Sequence, residues 1–373
     1  MRIKFFIRDL KIEGVQVVTV RLAKILAQHG HEIEILTLFD DQHLEVPTNI
    51  QVTSLFANQS AKNLKKEYLS IFRQWYQQHY SSFDWLIASH GETSKVISRF
   101  DDRKCIQYIH NSDEYTYGKK SIARKWRYRY KQRKLLKNKH VLCVSDSIHH
   151  FMANEVNAKA LSINTLYNPF DIEFIKKQAQ ESIRPIADQY IIFVGRLSIQ
   201  KRVDRLLRAF SFIKDKSIKL VIMGEGEEEP FLRCLTQELN LQDRVQFHPF
   251  VKNPFPYIHN ARMLLLTSDH EGLPTVIIEA LTCQTTVVST DCPSGPNEIM
   301  TNGFEKGLVD SYCPEKIANT IDQMLEEKPH HRNEYDEVIH RFSETVVYER
   351  LISLLSSWEG GIAMENNNNN NAK

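Results

Sequence analysis

Five short apolar runs, RIKFFI, HEIEIL, WLIAS, KCIQYI and VLCVS, recur along the first half of this chain, and each is followed by a stretch patterned as a helix or loop. Parallel strands need a crossover long enough to bring the chain back to the same end of the sheet, so this alternation marks βαβ units on a parallel sheet. The rhythm stops at YNPFDIEFIKKQAQESIRPIADQ, residues 167–189, which carries two prolines and many polar side chains. It restarts at Tyr190 with YIIFVG, IKLVIMG, RVQFHPF, RMLLLTS and TTVVST. The expectation is an α/β chain of two Rossmann-like domains facing a central cleft. Residues 1–168 form the first domain, 169–189 a linker with one short helix, and 190–342 the second domain. Residues 343–359 form a helix placed to return to the first domain, and the low-complexity segment 360–373 is expected to be disordered.

With 373 residues, 42% of them hydrophobic, the chain is long enough for two cores. The formal charge of +2 is too small to suggest bulk attraction to nucleic acid, although charge can still be unevenly distributed along the chain. The six cysteines include no CxxC pair, which suggests neither a zinc site nor a disulfide framework and fits a reduced, cytoplasmic setting. The N-terminus lacks a long apolar signal region, and no run of about 18 apolar residues occurs. Neither export by a signal peptide nor a membrane span is therefore expected.

Ligands of open parallel sheets bind beyond the carboxyl ends of the strands, so the loops there deserve the search. In EGLPTVIIEAL, which follows the strand MLLLTS, Glu271 and Gly272 fall in such a loop and Pro274 suits the first helical turn. The free N–H groups of that turn make a phosphate seat around Gly272, Leu273, Pro274 and Thr275. Glu279 stands about one turn further on, where a carboxylate accepts two hydrogen bonds from a vicinal diol such as a ribose. In VGRLSIQKRVDRLLRAF, Gly195 and Arg196 end a strand and Lys201 opens the next helix, giving a forked and a point cation for phosphates. The bland alternative is that these charges are surface decoration, and an R-x4-K pair alone carries little weight against it. No DxD or His/carboxylate cluster stands at ligand spacing, so no metal is expected and diphosphate charge falls to these side chains and helix ends.

These segments, GRLSIQKR at 195–202, MGEGEEEPFL at 223–232 and EGLPTVIIEALTCQTTVVSTDCPSGPNEI at 271–299 with its E-x7-E pair, resemble the retaining glycosyltransferases of family 4, which have the GT-B fold. The resemblance covers nearly the whole chain and is strongest in its second half. It implies donor binding by Arg196 and Lys201 on the diphosphate, Glu279 on the ribose, Glu271 near the sugar hydroxyls, and Gly272 to Thr275 around phosphate and sugar. By the same analogy HPFV places Phe250 and Val251 at the base. IEGVQVVTVRLAKILAQHGHEI resembles the family's glycine-rich first loop and places Gly14 at the donor, although Glu13 stands where a second glycine is usual. His110, ending KCIQYIH, is similar to a histidine near the transferred sugar. The implied catalytic set is His110, Glu271, Arg196 and Lys201.

The segment STDCPSGPNEI looks like that of bacterial enzymes that build lipopolysaccharide, capsule or lipid-linked oligosaccharides from UDP-hexoses or UDP-N-acetylhexosamines. The expected partners are a UDP-sugar and a glycan or lipid-linked acceptor. The rivals are a UDP-sugar epimerase of the same architecture, which needs acid/base groups around C2, and a decayed sugar-nucleotide or glycan binding protein. The stretch GKKSIARKWRYRYKQRKLLKNK, 118–139, holds eleven Lys and Arg and no acidic residue. Ile122, Trp126, Tyr130 and Leu135 fall near one helical stripe in it, which suits an anionic membrane interface or an acceptor's phosphates, with Lys125, Arg129 and Arg133 as the cations. The alternative is a stripe packed on the domain core. The expected location is the cytoplasm, peripheral to the inner face of the plasma membrane.

Overall fold

The computed structural model describes residues 1–56, 67–89, 91–182, 189–328 and 330–370. The first sheet contains β1 (Arg2–Ile7), β2 (Glu32–Phe39), β3 (Gln51–Phe56), β4 (Trp85–Ala88), β5 (Cys105–Ile109), β6 (His140–Cys143) and β7 (Ser162–Thr165). Its order is β3-β2-β1-β4-β5-β6-β7, with every neighbouring pair parallel. The second sheet contains β8 (Tyr190–Val194), β9 (Lys219–Met223), β10 (Val245–His248), β11 (Met263–Leu266), β12 (Val287–Thr290) and β13 (Leu308–Val309), in the order β10-β9-β8-β11-β12-β13, again all parallel.

The central strands are near-continuous apolar runs because helices cover both faces. Ile3, Phe5, Phe6 and Ile7 of β1 and Ile191, Ile192 and Phe193 of β8 are fully buried. Strands β3, β7 and β13 escaped the sequence reading. QVTSLF and SINT are too polar to read as buried strands, and β13 is only two residues long.

Sheet growth reverses between β1 and β4 and between β8 and β11. A crevice opens at such a switch point because the loops on either side leave in opposite directions. In the second domain those two loops are GRLSIQKR, after β8, and the one leading to EGLP, after β11.

Two segments cross between the domains side by side, the Phe170 N–H donating to the Phe342 carbonyl at 2.8 Å and the Glu344 N–H to the Phe170 carbonyl at 3.1 Å. The helix in the linker, Ile172–Ala179, is capped by Asp171, whose carboxylate accepts from the Phe174 N–H at 2.9 Å. Its buried Ile175 and Ala179 lean on the second-domain helices Phe255–His259 and Thr275–Thr282. The rest of the expected linker, 183–188, lies outside the described residues. The last helix returns to the first domain, where Tyr348 stacks on His29 at 3.8 Å and Trp358 on His140 at 4.1 Å. It runs Glu344–Asn370, through the segment expected to be disordered from 360. Once a packed turn exists, each added residue gains a hydrogen bond at low cost, and that carries the helix past its last buried anchor.

Candidate active site

The loop after β8 and the loop after β11 are fastened together. Gly195 donates its N–H to the Met223 carbonyl at 3.0 Å, closing β8 against β9. Gln200 then bonds two adjacent residues of the other loop, its carbonyl accepting from the Asp269 N–H at 3.0 Å and its amide donating to the His270 carbonyl at 2.8 Å. Beneath them Arg205, buried, donates to Asp269 at 2.6 Å and to the Thr267 carbonyl at 2.7 Å. A charged pair in so dry a place is favourable only with its hydrogen bonds satisfied, and here the carbonyl and carboxylate satisfy the guanidinium. Arg205 and Asp269 were not singled out from the sequence. Arg205 stands well off the helical stripe of Val203, Leu206, Leu207 and Phe210, and its burial is set by Thr267 and Asp269, distant in the chain.

On this base Lys201 and Glu271 meet. The Lys201 Nζ lies 2.7 Å from Glu271 Oε1, and the Ser268 hydroxyl donates to the same oxygen at 2.5 Å. Glu271 is 6% exposed. Two residues assigned separately to diphosphate and sugar thus form one ion pair, in which the carboxylate holds Lys201 in place. Arg196, in the loop that follows β8, is exposed.

Pro274, with extended backbone, precedes the helix Thr275–Thr282, so the helix opens one residue later than Pro274, and no side chain caps it. Its first N–H groups are therefore available to an anion. Glu279, one turn in, is half-buried. Burial pushes its carboxyl above the usual range, against the opposing pull of Arg21 from the first-domain helix Gly14–Gln28.

The first domain meets this loop at His110. A Cβ on Gly272 would stand 2.1 Å from the His110 carbonyl oxygen, so only glycine lets the two backbones approach. The His110 ring packs on Tyr108 at 4.1 Å, and Tyr115 stacks on His270 at 5.2 Å. Gly14 opens its helix with nothing within 4 Å of a Cβ built there. Phe250 is 63% exposed in the loop after β10, while Val251 packs against the core.

The site therefore gathers His110, Lys201, Glu271, Gly272 and the helix start at Thr275, while Arg196 stands exposed in the loop after β8. Lys125, Arg129 and Arg133 lie elsewhere, on the basic helix Ile122–Leu136. Lys125 lies 5.1 Å over the Tyr117 ring, Arg129 pairs with Glu155 at 3.5 Å, and Arg133 donates to the Val156 and Asn157 carbonyls. They are tied to neighbouring segments. The exposed cations of that helix are Arg124, Arg127, Lys131 and Lys134. Among the described residues no group of three or more His, Cys, Asp or Glu gathers as a metal site, and no helix is long and apolar enough to cross a membrane.

Two parallel sheets with their switch points turned to one cleft, and a cationic, helix-opening loop on the second, define the GT-B fold of glycosyltransferases. The structure of Anabaena HepE in complex with UDP and glucose superposes with a TM-score of 0.75 at 18% identity, over 96% of this chain and 100% of that one. Residues 12–174 match the model for Glycosyltransferase Family 4 and residues 174–340 that for Glycosyl transferases group 1, so the chain belongs to the GT-B glycosyltransferases.

Among curated relatives, the N-acetylgalactosamine-N,N'-diacetylbacillosaminyl-diphospho-undecaprenol 4-alpha-N-acetylgalactosaminyltransferase of Campylobacter jejuni is 40% identical over 162 residues, 43% of this chain and 44% of the relative. The lipopolysaccharide 1,6-galactosyltransferase of Escherichia coli is 30% identical over 190 residues, 48% of this chain and 50% of the relative. The matched stretch spans about half the length of these relatives or less.

Proposed function

We propose that the chain is a retaining, metal-independent glycosyltransferase of surface polysaccharide synthesis. It moves a hexose or N-acetylhexosamine from a UDP-sugar to a glycan or lipid-linked acceptor. The observation that carries this reading is the Lys201–Glu271 pair, set beside an uncapped helix start and closed from the other domain by His110 on Gly272. The UDP in the HepE complex supports a UDP donor, and the diphospho-undecaprenol in the Campylobacter relative's name supports a lipid-linked acceptor.

In this reaction the anomeric C–O bond breaks with its electrons passing to the leaving diphosphate, whose growing charge meets Arg196, Lys201 and the N–H groups opening at Thr275. The acceptor hydroxyl forms the new bond on the same face and gives its proton to the leaving phosphate. Glu271 orients the sugar, Glu279 the ribose, and His110 faces the oxocarbenium-like carbon.

The acceptor side docks on an anionic membrane. Ile122, Trp126 and Tyr130 are 88%, 70% and 60% exposed, so these three face solvent, while Leu135 packs against the core. By the helical period Arg124, Arg127, Lys131 and Lys134 border the stripe on one side, where they reach headgroups while the rings enter the interface.

Incubation with a panel of nucleotide sugars tests the reading. Slow release of free UDP from one or more UDP-sugars, with the sugar recovered intact, is the expected result. Interconversion of the donor's sugar without UDP release indicates an epimerase, and binding without turnover a sugar-nucleotide binding protein.

A further inference from the structure

The loop that follows β12, CPSGP, is wedged against the donor loop and leads straight into a contact with the other domain. Pro293 accepts the Glu271 N–H at 3.3 Å, and a Cβ on Gly295, whose φ is 103°, would stand 2.2 Å from the Pro274 ring. Three residues on, Glu298 reaches into the first domain. Its Oε1 accepts the Asp146 N–H at 2.6 Å and its Oε2 the Ser147 N–H at 3.4 Å. These two N–H groups open the helical turn Asp146–His150, whose next donor, the Ile148 N–H, is already taken by Ser145 of the same domain. The Tyr167 hydroxyl bonds Asp146 at 3.1 Å and also meets Glu298. Arg341, beside the point where the chain crosses back, grips the carbonyls of Glu298 and Ile299.

We propose that Glu298 is a positioning residue, an interdomain clasp that holds the first domain at the spacing where His110 rests on Gly272. A carboxylate accepting two backbone N–H groups makes charge-assisted bonds, stronger than neutral ones. The segment that carries Glu298 packs against the donor loop within the second domain, so that contact stays in place whether or not the clasp is closed. The clasp concerns the relation of the domains and goes beyond the donor and acceptor assignments.

The test uses the full chain as wild type, Glu298→Ala and Glu298→Gln, each with and without UDP. Hydrogen exchange at 146–148 reports the contact, small-angle X-ray scattering the separation of the domains, and calorimetry the affinity for UDP. The Ala variant is expected to exchange about tenfold faster at 146–148, as loss of bonds to a charged group implies. It is also expected to show a larger radius of gyration, with exchange in β8 and β9 and UDP affinity unchanged. The isosteric Gln variant, which carries the test should Ala disturb the second sheet, shifts both readouts in the same direction by less. Wild-type scattering in both variants, or a fall in UDP affinity without change in scattering, overturns the clasp. The first two readouts need no ligand. Failure of wild type to bind UDP therefore counts against the proposed donor and leaves the clasp to be decided by exchange and scattering.

Discussion

Gly272 of the second domain lies against His110 of the first so closely that a Cβ would stand 2.1 Å from the histidine carbonyl oxygen. Because the obstacle is backbone, Gly272→Ala forces a shift of the loop or of the domains, at a cost of about 1–3 kcal/mol by analogy with overpacked cores. The expected outcome is a folded protein with turnover reduced about tenfold or more, since small misplacements of reacting groups carry large rate penalties. Turnover at the wild-type rate, measured as UDP release, contradicts the close approach.

The Lys201–Glu271 pair separates two cations that look alike in the sequence. Arg196→Ala and Lys201→Ala each remove stabilisation of the leaving diphosphate, on the order of 2–4 kcal/mol in the barrier. Only Lys201→Ala also leaves the buried Glu271 carboxylate short of its cation, which costs stability on the order of 1–3 kcal/mol. Thermal melts are expected to show a lower Tm for Lys201→Ala and an unchanged Tm for Arg196→Ala. Equal melts remove the structural half of the Lys201 assignment.

Glu279 is expected to trade stability for binding. Burial raises its folded-state pKa above the ordinary value of 4.5. Between those values the folded protein holds more protons than the unfolded chain, so stability falls as pH rises through that window, and the whole cost is present above it. Glu279→Gln is expected to raise Tm at neutral pH, to leave it unchanged well below pH 4.5, and to weaken UDP and UDP-sugar binding alike. Glu271→Gln is expected to impair mainly the UDP-sugar. An unchanged UDP affinity in Glu279→Gln refutes the ribose role.

Both sheets, the break near residue 170 and the loops bearing Arg196, Lys201, Glu271 and Glu279 were legible in the sequence, because apolar period and strand-end position are local properties. What escaped was set by partners distant in the chain. The pairing of Lys201 with Glu271 spans seventy residues. Glu298 is an ordinary glutamate near a helix start until the first domain supplies Asp146. On the basic helix the stripe was visible, but which cations remain exposed depends on Tyr117, Glu155 and the 156–157 carbonyls, which no helical period reveals.

The exposed stripe predicts membrane docking. Binding to anionic vesicles and not to neutral ones is expected in cosedimentation at low salt, lost at high salt because each cation contributes roughly 1 kcal/mol through a screened field. Changing Arg127, Lys131 and Lys134 to Glu, or Trp126 and Tyr130 to Ser, is expected to abolish it. Changing Lys125, Arg129 and Arg133 is expected to disturb the local fold first. Failure to bind anionic vesicles at low salt rejects docking and leaves soluble acceptor phosphates as the ligands of this helix.

The central claim is that side chains and a helix start, without a metal, hold the diphosphate of a UDP-sugar. Calorimetric titration of UDP into wild type and Lys201→Ala, both in excess EDTA, tests it most directly. The account predicts saturable one-to-one binding to wild type and affinity weaker by about tenfold or more in the variant, as loss of a charge-assisted bond implies. Binding that vanishes in EDTA and returns with magnesium or manganese, or affinity equal in the two proteins, contradicts it.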